Sequence, residues 1–469
     1  MKKNVTIIGG GLAGSEAALQ LAARGIPVTL YEMRPERQTD VHKTGFLAEL
    51  VCSNSLKSTK PDTAAGMQKL ELELLGSKLF AEALKAQVPA GGALAVNRDA
   101  FASAVTTLVE QEPLIDLRHE EVRSVEDVST TSDAIILATG PLTSDDLAES
   151  LMRYVGGTSL AFYDAAAPIV MADSLDNNIL FRQSRYEDAH DSDGAAQGDY
   201  LNAPFTKDEY ESFIDELLAA DRVIQRDFES KDLFQACQPI EEIARAGRDA
   251  PRFGPLKPVG LTDPRTGKRP WAALQLRAED AQGACYNLVG FQTNLKFSEQ
   301  KRVFHLIPGL ENAEFARYGV MHRNTFIDAP RVLDGTLRVR TPEAFEMGTP
   351  LFVAGQLGGT EGYCEAIRSG LHAALSVAAL LKEIPLPTLP KTTAFGSLLA
   401  YATNPDTKDY QPMHVNFGVL PPLEKSPRNK RDRYAAYAKR GEAALAEYCA
   451  ELESCGLLEQ AASASTPSR

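Results

Sequence analysis

The sequence predicts an α/β protein, a doubly wound and mostly parallel sheet around a dinucleotide site, interrupted by an inserted α+β domain. Three observations predict it. An apolar, β-rich run near the N-terminus leads into glycines spaced G-x-G-x-x-G and then a helical pattern. A second strand follows and ends in an acid roughly 20 residues past the glycines. A strand, a glycine-rich turn and a helix recur at Pro350 to Leu381, beyond a region of different patterning.

Val5 to Ile8 reads as a buried strand, and Gly9-Gly10-Gly11-Leu12-Ala13-Gly14 carries the fingerprint. Gly9 allows a tight turn, Gly11 lets a pyrophosphate approach the backbone, and Gly14 lets helix pack on strand. Ser15 to Arg24 is patterned as a helix whose N-terminus aims free N–H groups and the positive dipole end at phosphates. Val28 to Tyr31 is the second strand, and Glu32 stands where an acid binds ribose hydroxyls. A glycine-rich turn alone is weak evidence. Strand, glycines, helix, strand and acid in order make these seven positions, Gly9 to Gly14 and Glu32, candidate cofactor contacts.

Met33 to Lys43 is a polar loop, and Gly45 to Ser58 is neither a clean helix nor a clean strand. Met67 to Ala86 is expected as one helix and Asp99 to Glu110 as another, with Asn97 as cap or cofactor contact. Ala134 to Pro141 is a strand ending in Ala-Thr-Gly, either a return to FAD or an ordinary strand–turn. From Leu151 to Asn324 strand-like segments alternate with polar loops, including the acidic Asp188 to Asp199, and Tyr210 to Phe228 looks helical. The chain then returns through Pro350 to Ala354, a glycine-rich turn, and a helix over Cys364 to Leu381. In FAD folds such a turn faces the flavin, so Gly355, Gln356, Glu361, Gly362 and Tyr363 join the candidate contacts. Tyr434 to Leu452 reads as an amphipathic helix and Ala461 to Arg469 as a disordered tail. The expected division is 1–150 and 325–469 for the cofactor domain and 151–324 for the insert.

At 469 residues the chain is long enough for two or three cores, and its composition, 44% hydrophobic and 24% charged, is that of a globular protein. The net charge of −14 repels nucleic acid, so RNA binding would need a local basic patch. One exists, from Lys425 through Arg428, Lys430, Arg431 and Arg433 to Arg440, interleaved with Tyr434 and Tyr437; a solvated helix face explains it as well. No apolar stretch approaches the ~20 residues of a membrane span. The start runs straight into the first strand, so no signal peptide is expected. Six scattered cysteines without C-x-x-C or metal-ligand spacing point to a cytoplasmic protein with free thiols and no metal site.

Two thiols stand out. Pro239-Ile240-Glu241-Glu242 is a helix-start pattern, which puts Cys237 where a helix dipole favours thiolate, opposed by the two glutamates. Cys52 lies in a polar loop close in sequence to the cofactor half-site, with Lys57 as a possible partner. Spacing alone leaves each as reactive thiol or small buried hydrophobe.

These segments also carry a family resemblance. They are the Gly9 to Gly14 fingerprint, Leu50-Val51-Cys52-Ser53-Asn54-Ser55-Leu56-Lys57-Ser58, and Cys237-Gln238-Pro239-Ile240-Glu241-Glu242. Gly254 to Leu261, Leu288 to Leu295, His322 to Thr325, Ala354-Gly355-Gln356 with Glu361-Gly362-Tyr363, and Gln411 to Gly418 add to it. The chain resembles the folate- and FAD-dependent tRNA (uracil-5-)-methyltransferases, TrmFO, which are related to the glucose-inhibited division protein A flavoproteins. It departs at His414, at Gly358-Gly359-Thr360 and in a longer loop near Asp188 to Gln197. The resemblance implies a glutathione-reductase-like, Rossmann-type FAD domain, with methylenetetrahydrofolate and NAD(P)H as co-substrates. It implies tRNA as partner, no obligate protein partner, and Cys52 and Cys237 as catalytic residues. Uracil C5 becomes a nucleophile only after something adds at C6, and a soft thiolate suits that addition. Three other readings compete. A wobble-uridine modifying flavoprotein is expected to carry a longer C-terminal helical domain. A plain NAD(P)H-dependent flavin oxidoreductase predicts a redox cysteine pair. A non-catalytic RNA-binding protein leaves both cysteine motifs idle.

Overall fold

A computed structural model describes residues 3–39, 41–156, 159–165, 167–185, 199–223, 238–279, 283–319, 321–407 and 410–458. In chain order the elements on which the site rests are β1 (Val5–Ile8), α1 (Leu12–Ala23), β2 (Val28–Tyr31), β3 (Ile115–Arg118) and β4 (Ala134–Leu137). They continue with β5 (Tyr200–Phe205), β6 (Ala272–Ala278), β7 (Leu351–Val353), α2 (Tyr363–Lys382) and α3 (Lys430–Ser454).

Five parallel strands in the order β7-β4-β1-β2-β3 make the central sheet. Val5 pairs with Val28 on one side and Ala134 on the other, and Phe352 of β7 pairs with Ile136. Every residue of β1, β4 and β7 is buried. That explains their apolar runs, broken only by the buried Thr6 of β1, since a parallel sheet covered on both faces has no solvent side to leave polar. The hydrophobic cluster around this sheet draws on residues from Val5 to Val155 and again from Phe326 to Leu457, so the chain leaves this core and returns to it.

Between those stretches lies a six-stranded antiparallel sheet. Its order is Phe181–Arg182, β5, β6, Cys285–Leu288, Ile169–Met171 and Phe315–Arg317. It has its own cluster, from Val170 to Ala313, in which Phe213 stacks on Phe291 and Phe304 meets Phe291 edge-on. A two-stranded ribbon, Ser159–Ala165 against Met321–Ile327, runs between the two cores.

Several helices differ from expectation. The segment from Met67 to Ala86 is two helices, Ala64–Leu74 and Lys78–Lys85. Gly76 takes a left-handed φ of 69°, and Ser77 then caps the second helix by accepting from the Phe80 N–H. The fully buried Glu16 of α1 adds to that cap, accepting from Ser77 Oγ and the Lys78 and Leu79 N–H groups. The helix expected to reach Phe228 ends at Ala219, beyond which Arg222 pairs with Leu295. Asn97 is a cap, accepting from Ala100 N–H. α3 begins at Lys430 because Asn429 caps it. α2 is apolar enough to pass for a membrane span, yet 83% of that window is buried inside the protein, so it is a core helix. Cys237, most of the Asp188 to Asp199 loop and the tail from Ala461 to Arg469 lie outside the described residues.

Candidate active site

A cleft of about 380 Å³ opens at the C-terminal edge of β1 and β4, where open α/β sheets hold their ligands. Gly9, Gly11, Leu12, Ala13 and Glu32 line one part, and Gly355, Gln356, Glu361, Gly362 and Tyr363 another. Both N-terminal ends, of α1 and of α2, therefore face the same space. They converge because the two helices cross almost in contact. A Cβ on Gly370 would stand 2.1 Å from the Ala13 carbonyl oxygen.

The glycines divide the labour. A Cβ on Gly14 would lie 1.9 Å from Gly9 O, so Gly14 serves the packing of α1 on β1. A Cβ on Gly11 would meet nothing within 4 Å, which is the open side a pyrophosphate needs. Gly10 and Gly14 do not line the cleft. Gly10 is buried with its N–H donating to Glu32 Oε2 at 2.9 Å. At the second turn Gly362 holds φ 110°, where a Cβ would meet Glu365 Oε2 at 2.4 Å. The buried Gln356 Nε2 at the cleft wall has no partner among the described residues. An open glycine, two helix N-termini and an orphaned amide donor together fit a dinucleotide.

Glu32 is buried, and burial alone would raise its carboxyl. The hydrogen bond and charge of Arg34, with the Gly10 N–H, outweigh that and hold it below the usual carboxylate range. Arg34 Nε lies 2.9 Å from Glu32 Oε1, and its Nη1 lies 3.3 Å from Glu49 Oε2. Glu32 thus presents to the cleft as a carboxylate, the form that accepts ribose hydroxyls.

Cys52 lines the same cleft. Its loop hangs on one phenol, because Tyr363 Oη accepts from the Cys52 N–H at 2.9 Å and the Ser53 N–H at 3.0 Å. Burial, and after it the neighbouring Cys52, pushes this phenol above its ordinary range, so it keeps its proton. Lys57 is not paired with Cys52; its ammonium lies 3.6 Å from Glu365. The cations that serve the loop are Arg98, donating to Leu50 O, and Arg317, donating to Val51 O at 3.0 Å and Cys52 O at 3.2 Å.

Arg317 comes from the second sheet, so the loop is tied across both cores. Asn54 continues the tie, donating to Ala278 O and accepting from Arg277 Nε at 2.7 Å. Arg98 adds an ion pair with Glu279 at 2.7 Å. Burial lowers the pKa of both Arg277 and Arg317 from the ordinary guanidinium value. Sequence reasoning missed Arg98 and Arg317, which stand in no motif. It also missed Gln292, which lines the cleft inside a segment already singled out.

Cys237 lies outside the described residues, but the helix after it, Ile240–Ala246, is in place with Pro239 at its cap. Ile240 N–H donates to Gln292 O at 2.8 Å, which ties this helix to the cleft wall. Glu241 is fully buried beside it, accepting from Thr293 Oγ1 at 3.0 Å and Asn294 N–H at 2.6 Å, and burial raises its carboxyl to about 7.

The family model described as glucose inhibited division protein A matches residues 4–385. A methylenetetrahydrofolate–tRNA-(uracil-5-)-methyltransferase TrmFO of Symbiobacterium thermophilum is 50% identical over 95% of this chain and 97% of its own length. Proteins of that name from Solibacter usitatus and Geobacter sulfurreducens are 51% and 50% identical over 96% and 95% of this chain, each with 99% of its own length covered. Among solved structures, GidA of Aquifex aeolicus superposes with a TM-score of 0.66 at 16% identity, over 98% of this chain and 75% of that one.

Proposed function

The chain belongs to the glucose inhibited division protein A family, on its TrmFO branch, and from that premise we infer that it methylates C5 of a uridine in tRNA with methylenetetrahydrofolate as carbon donor. The observation that carries this reading is that one cleft gathers the dinucleotide fingerprint, the second glycine turn and Cys52. The finer reading is a T-loop uridine, converted to ribothymidine, with reduced nicotinamide as electron source in the cytoplasm. Residues 1–150 and 325–469 serve as the FAD domain and 151–324 as the side that meets tRNA.

The residues for FAD are those of the cleft. Gly11 and the N-termini of α1 and α2 take the pyrophosphate, Glu32 the ribose, and Gln356, Gly362 and Tyr363 the flavin end. FAD held there, once reduced by nicotinamide, would supply the two electrons that turn the transferred methylene into a methyl. The thiols do the rest. The Cys237 thiolate adds to uracil C6, forming an S–C bond and shifting the C5–C6 pair toward O4, so that C5 bonds the methylene carbon. Loss of the C5 proton breaks the methylene–nitrogen bond and releases tetrahydrofolate, leaving an exocyclic methylene. Two electrons and a proton delivered to that carbon make the methyl, expel the thiolate and restore the C5–C6 double bond. Cys52 belongs to the methylene or proton-handling side, since its loop hangs on Tyr363 beside the flavin end.

Incubation with labelled methylenetetrahydrofolate, reduced nicotinamide and unmodified tRNA tests the reading. Label should appear in 5-methyluridine. Oxidation of nicotinamide without label in tRNA would reduce the protein to a flavin oxidoreductase.

A further inference from the structure

The second sheet carries a separate cavity of about 740 Å³. Lys207, Arg252, Lys257, Arg265, Lys268 and Arg269 line it, and the single carboxylate among its lining residues, Asp263, is gripped by Arg265 at 2.8 Å. In a chain of net charge −14 such a gathering of cations marks a place for a polyanion. Its floor is aromatic. The Arg252 guanidinium lies 3.6 Å over the Trp271 ring, and Phe253 beside it is 80% exposed. The Trp271 Nε1 donor has no partner among the described residues. Cations beside an exposed aromatic face are the equipment of RNA binding, where phosphates meet the charges and an unstacked base meets the ring.

Its position relative to Cys52 follows from the strands. The cavity sits where Phe205 pairs with Ala272, at the start of β6, next to Trp271. The far end of β6, Ala278, accepts from Asn54, two residues from Cys52. A seven-residue strand separates them by about 20 Å at ~3.3 Å per residue. A nucleotide seated at Cys52 therefore cannot occupy this cavity, but another part of the same folded RNA can.

We propose that this cavity is a second tRNA-docking site, holding the sugar-phosphate backbone outside the arm that carries the target uridine, with a base against Phe253. It rests on the reading of tRNA as substrate. It would make recognition depend on the folded molecule rather than on the target loop alone.

The test compares the FAD-loaded wild type with Lys268→Glu/Arg269→Glu and with Phe253→Ala. Flavin content and melting temperature serve as checks on folding. Binding is measured over a salt series for full-length unmodified tRNA and for a hairpin of its T arm alone. For the charge variant, full-length affinity should fall at least about tenfold, and the slope of log affinity against log salt should flatten by about two. Hairpin affinity should not move. Phe253→Ala should weaken full-length binding about tenfold with the slope unchanged, the mark of lost stacking. Wild-type affinity and slope in the charge variant, or an equal loss on the hairpin, overturns the inference while wild-type methylation still stands. A wild type that neither binds nor methylates tRNA overturns the substrate reading itself.

Discussion

Glu241 is held at about 7 by burial, against an ordinary 4.5, although Thr293 and Asn294 both donate to it. Between those values the folded protein keeps a proton that the unfolded chain has released. Stability therefore falls as pH rises through that window and levels off above it. Glu241→Gln removes the titration. Its melting temperature should gain on wild type by several degrees from pH 5 to pH 8, since a tenfold difference in proton affinity between the folded and unfolded states is worth about 1.4 kcal/mol. Parallel curves would mean that the carboxyl ionises freely in the fold. The two thiols make a second comparison. Cys237→Ala should bind FAD and accept electrons from nicotinamide, yet form no covalent adduct with RNA carrying 5-fluorouridine at the target position. Cys52→Ala should lose methylation but still capture that RNA. The reverse pattern would exchange the two roles.

Among the elements, the helices that aim at the cleft were legible because their signals are local. Strand, glycines and acid all fall within Val5 to Glu32, and Gly355 to Tyr363 repeats the device. The split at Gly76-Ser77 carried an equally local stop and start, masked because apolar residues continue through it. Its reinforcement by Glu16 was beyond reach, for a buried carboxylate on α1 looks like an exposed one until the fold closes around it. α3 shows a different limit. Its tyrosines already have neighbours, with Phe417 stacked 3.9 Å from Tyr434 and Lys430 5.4 Å over that ring, and Phe417 5.6 Å and Arg440 5.1 Å from Tyr437. What α3 and the segment leading into it offer is charge, with Lys425 and Arg428 exposed before the helix and Lys430 and Arg431 exposed in its first turn. Arg431→Glu/Arg433→Glu should weaken tRNA binding and flatten its salt dependence by one to two in slope, about one for each phosphate that is no longer neutralised. FAD should stay bound. Unchanged tRNA affinity would make the segment an ordinary solvated helix.

At the scale of the whole molecule, the sequence showed two cysteine motifs but not what holds them in place. Arg317 and Cys52 are 265 positions apart, and no periodicity or spacing links an arginine in a short strand to three distant carbonyls. The same is true of Asn54 with Arg277 and of Arg98 with Glu279. Each is an ordinary polar residue until two cores meet. Once they meet, Arg317 becomes the pin between them, bonded to Val51 O, Cys52 O and Ala167 O. Interfaces between parts of one chain allow relative motion unless something fixes them. A thiol displaced by about 1 Å from its reacting partner loses much of its rate. Arg317→Ala leaves those carbonyls without their donor, at about 1–3 kcal/mol for each that water does not reach. The cofactor cleft is lined without Arg317, so flavin content should match wild type. Methylation should fall at least about tenfold, and thermal unfolding should separate into two transitions as the cores uncouple. Arg317→Lys, which restores one donor but not the fork, should recover part of the rate. A wild-type rate and a single transition in Arg317→Ala would mean that Tyr363 and Arg98 suffice to hold the Cys52 loop and that the two cores are fixed by their other contacts.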